Sequence, residues 1–215
     1  MIRVHITDDH RIFRDGLKRL LNDSEDMEVV AETGSAQDLL DSLETTGCDV
    51  IVLDISLPGR SGLDALKQVK AQYPKLPVLM LSMHPEDQYA LRAIKAGASG
   101  YLTKDAAADE LVAAIRKVQG GGKYFSESLA ERLFSELSNP IGAEPHTLLS
   151  DRELQVLCMI GSGLSVSGIA ERLSLSVKTI STHRTRILLK MGMKNNAELT
   201  SYVVRNGLSD GISRR

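Results

Sequence analysis

The 215-residue sequence predicts an α/β doubly wound five-stranded parallel sheet, strand order 2-1-3-4-5, followed by a small all-α four-helix helix-turn-helix domain. Three observations carry this. Over residues 1–120, short β-rich apolar runs alternate with stretches whose apolar residues recur at helical spacing, the pattern of parallel strands joined by right-handed crossovers. From Leu148 onward the apolar period is helical throughout. The charge also divides: residues 1–138 hold 16 Lys+Arg against 22 Asp+Glu, net -6, whereas residues 139–215 hold 10 against 6, net +4. An acidic front and a basic rear point to different partners, with nucleic acid the natural one for a small basic domain.

Taken in order, Ile2 to Thr7 is the first strand and ends on Asp8-Asp9-His10. Ile12, Phe13, Leu17, Leu20 and Leu21 place a helix over residues 11–22. Met27 to Thr33 is the second strand, and Ala36 to Leu43 a second helix capped by Ser35. Within the stretch that begins at Cys48, Val50 to Leu53 is a continuous apolar run, as a strand buried on both faces requires, and it stops at the Asp54 carboxylate. Leu57-Pro58-Gly59 cannot prolong it, since proline donates no N–H and glycine favours a turn. A helix from Gly62 to Gln72 follows, and the fourth strand, Leu76 to Ser82, tolerates Pro77 at its start. A helix over residues 86–96 stops at Gly97; Ser99 to Lys104 is the fifth strand; Leu111, Val112, Ile115 and Val118 stripe a fifth helix ended by Gly120-Gly121-Gly122.

In an open parallel sheet, chemistry collects at the carboxyl edge, at the point where strand order reverses. With this strand order Asp8, Asp9 and Asp54 meet there, and Ser82 and Lys104 are delivered to the same edge. Three carboxylates packed together repel unless a cation sits among them; hard oxygen donors select Mg2+. The expected ligands are Asp9 and Asp54 directly, Asp8 through water, and the Ser56 backbone carbonyl. Asp54 can then act as nucleophile toward a phosphoryl donor, with Lys104 and the Ser82 hydroxyl taking phosphate oxygens. Each residue alone is ordinary at the end of a strand; their joint occurrence at the ends of four strands is what signals a site.

These residues, with Pro58 and Gly62 behind Asp54 and Tyr101 three positions before Lys104, resemble the receiver domain of two-component response regulators over residues 1–120. The resemblance implies that Asp54 is the phosphoacceptor, charged by a phosphohistidine on a sensor histidine kinase with Mg2+ present. It further implies that Ser82 swings toward the phosphate and Tyr101 changes rotamer, shifting a pre-existing two-state equilibrium.

The two cysteines, Cys48 and Cys158, lack metal-site spacing and are expected to be buried free thiols. The amino terminus lacks a signal-peptide core, and no run approaches the roughly 18 apolar residues of a membrane span, so a cytoplasmic location with no membrane partner is expected. Glycines and prolines make residues 121–145 a linker, with a helix over residues 128–137. The rear domain is assigned to residues 146–212.

There, Ser150 and Glu153 form a capping box, with Leu149 and Leu154 as its hydrophobic staple. A first helix runs to Gly161, a short one spans Val166 to Leu173, Ser176 caps a longer one over Val177 to Met191, and a fourth ends near Gly207. Two helices across a three-residue turn, the second rich in cations and hydroxyls, outline a helix-turn-helix. Ile180, His183, Ile187 and Met191 are expected inward. Lys178, Thr179, Ser181, Thr182, Arg184, Thr185, Arg186 and Lys190 are expected to contact double-stranded DNA, hydroxyls toward bases and cations toward phosphates.

Leu149-Ser150-x-Arg152-Glu153, Gly163-Leu164-Ser165, Ile169-Ala170, Leu175 to Ile180, His183-Arg184 and Ala197-Glu198-Leu199 resemble the LuxR-type helix-turn-helix, and the whole chain resembles the NarL/FixJ subfamily. A phosphorylation-switched transcriptional regulator is implied, not an enzyme, acting as a homodimer on DNA and meeting RNA polymerase. One departure is Val166-Ser167-Gly168, where the family commonly carries polar and charged residues; a helical glycine costs about 1 kcal/mol. The last helix is a dimer contact in that family, yet Leu199, Tyr202 and Val203 equally suit internal packing. The rival readings are a receiver controlled by partner docking without phosphorylation, and an aspartyl-phosphate phosphatase, which would want an acid where Ser56 stands.

Overall fold

The computed structural model describes residues 1–83, 86–106, 108–126, 129, 131 and 145–208, with residues 86–88 described by backbone alone. The chain divides into two compact units, Met1–Leu133 and Phe134–Arg215. The linker helix expected over 128–137 lies outside the described residues apart from Leu129, which is buried, and Glu131.

In the first unit β1 (Ile2–Thr7), β2 (Met27–Thr33), β3 (Val50–Asp54), β4 (Val78–Ser82) and β5 (Gly100–Thr103) alternate with α1 (Arg11–Asn22), α2 (Ala36–Thr45), α3 (Gly62–Gln72), α4 (Glu86–Lys95) and α5 (Ala108–Gln119). The sheet is wholly parallel in the order β2-β1-β3-β4-β5, as expected. Every residue of β3 is buried, which explains its unbroken apolar run. Val4, Ile6, Val50, Val52, Leu79 and Leu81 form one core with Leu17 and Leu21 of α1 and Leu111, Ile115 and Val118 of α5. The two-residue period sends Ile51 and Leu53 to the other face, where α3 buries Leu63, Leu66 and Val69.

Strand ends differ from expectation where chemistry intervenes. β4 opens at Val78, after Pro77, whose carbonyl still accepts from Ile51 N–H at 3.0 Å. β5 ends at Thr103, leaving Lys104 one residue into the loop. Behind β3 the chain turns so tightly that a Cβ on Gly62 would lie 1.9 Å from the Asp54 carbonyl oxygen; only glycine fits this return. Ser35 and Ser61 accept from the backbone N–H three residues on, capping α2 and α3.

The second unit holds a 3-10 turn (Pro145–Leu148), then α6 (Asp151–Gly161), α7 (Val166–Arg172), α8 (Val177–Met191) and α9 (Asn196–Arg205). Both halves of the Ser150/Glu153 capping box form, and Leu149 and Leu154 are buried. Ser165, Ser176 and Asn195 cap the next three helices, and Gly192 ends α8 at φ 66°. The Ser165 cap, accepting from Gly168 N–H at 3.1 Å, helps α7 form despite its glycine. Leu199 and Val203 of α9 are fully buried, and a Cβ on Gly161 would meet Val203 Cγ1 at 2.3 Å, so internal packing is their role here. Tyr202 meets His146 across the unit, hydroxyl to Nδ1 2.8 Å. Cys158 is buried as expected, whereas Cys48 is only half-buried; both are free thiols, and burial pushes Cys48 up to about 11. Among the described residues no helix is long and apolar enough to cross a membrane.

Candidate functional site

At the carboxyl edge of the first unit, β1 and β3 lie side by side and deliver Asp8 and Asp54 to one point. One ligand atom from each of Asp8, Asp9, His10 and Asp54 falls within 4.8 Å of the others. Lys104, just past β5, inserts its ammonium between the carboxylates, 2.5 Å from Asp8 Oδ2 and 2.9 Å from Asp54 Oδ2. The three side chains are almost wholly buried, at 5% exposure for Lys104, 2% for Asp8 and 1% for Asp54.

One ammonium thus serves two buried carboxylates. Burial pushes the Asp54 carboxyl above its usual range and Asp8 adds to this, with Lys104 opposing. Burial also works against the Lys104 ammonium, but Asp54 and Asp8 together outweigh it and hold it above its ordinary value. The cluster is short of positive charge and built from hard oxygen donors, which fits a divalent cation of the Mg2+ type.

Around this centre Ser56 N–H donates to Asp54 Oδ1 at 3.2 Å, placing Ser56 beside the carboxylate in the same loop. Ser82 is fully buried at the end of β4; its neighbour Leu81 is the register partner of Asp54, and its carbonyl accepts from Lys104 N–H at 2.7 Å. Tyr101 is buried within β5 at 3% exposure.

Two neighbours were not singled out by sequence. His10 Nδ1 lies 2.8 Å from Asp9 Oδ1 and 3.2 Å from Asp8 Oδ1; its place directly after the acidic pair was the available signal. Phe13 sets its ring 4.8 Å from the Lys104 ammonium, one helical turn into α1, where periodicity marks it only as apolar.

In the second unit, Ile180, Ile187 and Met191 of α8 are buried as expected and His183 is half-buried. Desolvation, reinforced by Arg152, lowers the His183 pKa, so the ring is held neutral against the core. Lys178, Ser181, Thr182, Thr185 and Arg186 are exposed, and Thr179 is half-buried with its hydroxyl 2.7 Å from Ser176 Oγ. The Thr182 and Thr185 hydroxyls donate back to the carbonyls of Lys178 and Ser181, which leaves their lone pairs facing outward as acceptors. Arg184 and Lys190 behave otherwise: Arg184 Nε donates to Asn196 Oδ1 at 2.6 Å, and Lys190 Nζ to Glu153 Oε2 at 2.6 Å. Their charged ends are engaged within the unit, unlike the outward cations expected.

A doubly wound sheet with a buried Asp-Asp-Lys cluster, followed by a helix-turn-helix, defines the class of an acid-pocket signalling domain joined to a helical regulatory domain. The family model described as response regulator receiver domain matches residues 4–116, and that described as bacterial regulatory proteins, luxR family, matches residues 147–203. The response regulator UvrY of Escherichia coli (strain K12) is 36% identical over 209 residues, spanning 97% of this chain and 96% of its own. The response regulator GacA of Pseudomonas aeruginosa is 36% identical over 214 residues, spanning 99% and 100%. Among solved structures, RcsB of Salmonella typhimurium superposes with a TM-score of 0.66 at 28% identity, covering 95% of this chain and 97% of its own. Salmonella enterica RcsB bound to promoter rprA in the presence of phosphomimetic BeF3- superposes at 0.63 with 27% identity, covering 95% and 99%. The chain belongs to the two-component response regulators that carry a receiver domain and a luxR-type helix-turn-helix.

Proposed function

We propose that this chain regulates transcription from the cytoplasm by a phosphoryl switch at Asp54. Residues 1–120 form the receiver, 121–145 the linker and 146–212 the DNA-binding domain. An Asp54 carboxylate oxygen attacks the phosphorus of a phosphohistidine on a sensor histidine kinase; the P–N bond breaks and the imidazole departs. Asp9 and Asp54, Asp8 through water and the Ser56 carbonyl would hold Mg2+, which when bound supplies charge neutralisation. Lys104 and the Ser82 hydroxyl take phosphate oxygens. The observation that carries this is the single Lys104 ammonium wedged between two buried carboxylates. It leaves Asp54 oriented and short of positive charge, the state a cation and a phosphoryl group complete.

The phosphoryl group puts more negative charge and new acceptor oxygens where the Asp54 carboxylate stood, which draws Lys104 and the Ser82 hydroxyl toward it, and Tyr101 follows by changing rotamer. The phosphorylated chain dimerises and grips paired half-sites, two weak modules gaining through effective concentration. The exposed Lys178, Ser181, Thr182, Thr185 and Arg186 of α8 meet the major groove, with RNA polymerase recruited or blocked at the promoter. Support comes from the relatives: one RcsB structure holds promoter DNA with a phosphomimetic, and another holds two RcsB dimers on two DNAs.

The test is labelling by a small phosphodonor, read alongside DNA affinity. Wild-type protein should label in a Mg2+-dependent way and bind its operator more tightly once labelled, and Asp54→Asn should do neither. Labelling that persists in Asp54→Asn, or DNA affinity indifferent to the donor, overturns the reading.

A further inference from the structure

Lys190 sits in the last turn of α8, three residues beyond the buried Ile187, on the flank of the helix's packed stripe. Its ammonium lies 2.6 Å from Glu153 Oε2, and the Glu153 side chain is only 4% exposed. The same Oε2 accepts from Ser150 N–H at 2.9 Å, closing the capping box at the start of α6. One carboxylate oxygen therefore joins the turn before α6 to the far end of α8. Near the middle of α8, Arg184 makes a second tie, its Nε 2.6 Å from Asn196 Oδ1 at the start of α9.

We propose that Lys190 and Glu153 form a strut fixing the pose of α8 on its domain, so that Lys190 serves DNA affinity as a positioning residue and not as a phosphate contact. This rests on the DNA-binding reading above. Moving the ammonium onto a phosphate would strand a buried carboxylate, and removing one partner of such a pair is strongly unfavourable. Glu153 would also repel any phosphate that approached. Lys178 and Arg186, exposed like Lys190, have no such obligation: among the described residues neither forms an ion pair. Burial alone would raise the Glu153 pKa, but Lys190 and the Ser150 N–H outweigh it and hold the carboxylate charged, consistent with a standing pair.

The two roles separate in a salt titration. A residue that neutralises a phosphate adds close to one unit to the slope of log affinity against log salt; a residue that only places the helix adds nothing. Full-length protein, treated with a phosphodonor, is titrated against a labelled duplex that the wild-type chain itself selects from a random-sequence pool. Lys178→Ala should flatten the slope by about one unit. Lys190→Ala should weaken binding about fivefold with the slope unchanged. Glu153→Gln is the sharper variant, since glutamine keeps the capping box and only the ion pair is lost. It removes a negative charge, which by charge alone favours DNA, yet the strut requires it to weaken binding as Lys190→Ala does, and Lys190→Arg should restore affinity. A slope that flattens in Lys190→Ala, or a Glu153→Gln chain that binds as well as or better than wild type, overturns the proposal. Should the wild-type chain select no duplex, the DNA-binding reading fails instead. The strut is then judged without DNA by a double-mutant cycle of Glu153→Gln and Lys190→Ala in urea unfolding: coupling sustains it and simple additivity refutes it.

Discussion

The acid pocket and the α8 surface are both charged sites, yet they are built on opposite plans. In the pocket Asp8, Asp54 and Lys104 are buried and each lies within 3 Å of another member, so every charge depends on the rest. Low local dielectric makes that dependence strong, and removing one member strands the others. On α8 the outward residues stand in water, where each contributes little and nearly independently. The difference teaches that a buried charge cluster behaves as a unit, whereas an exposed helix face is a sum of parts, some of which, such as Lys190, are tied to a buried carboxylate.

The contrast is sharpened first by the pocket itself: Asp54→Asn should abolish Mg2+-dependent phosphodonor labelling outright, and a graded loss would break the comparison. Next in size, Gly62→Ala places a methyl group on the Asp54 carbonyl and should cost the first unit about 3 kcal/mol, measured by urea unfolding. Of similar size is a pH effect at His5, fully buried in β1, whose imidazole burial lowers from 6.5 to about 4. The unfolded chain takes up this proton below pH 6.5 and the folded chain only below about 4. Stability should therefore fall by about 3 kcal/mol as pH drops through that window and then level off, and His5→Gln should lose that slope. In the second unit, Ser150→Ala should cost about 1 kcal/mol through the lost cap, seen as a lower unfolding midpoint. Smallest is Lys178→Ala, whose effect on unfolding should stay within about 0.5 kcal/mol while its salt slope on DNA flattens. A large folding defect there would show that α8 is not the sum of parts described.

Much of this was legible in sequence because it depends on local pattern. The unbroken run ending at Asp54 could only be a doubly buried strand, and Ser150-x-x-Glu153 named its own cap. Parallel pairing followed from alternation and handedness, and the expected order is one of the two common to doubly wound sheets. What stayed hidden depends on groups far apart in the chain. Gly62 reads as a turn residue until its approach to the Asp54 carbonyl is seen. Lys190 and Arg184 lie among cations on a basic helix, and helical spacing has no means of telling that Glu153 or Asn196 waits beside them. Leu199 and Val203 fitted a dimer face and a core equally well until Gly161 was found against Val203.

The sequence by itself determined the sheet, the helices, their caps and which residues reach the carboxyl edge, because periodicity and turn chemistry act over a few neighbouring residues. Tertiary structure alone decided which charges meet. Lys104 spans Asp8 and Asp54 while Lys190 turns inward to Glu153, since an ion pair depends on distance in space and on burial, neither of which is written in residue order.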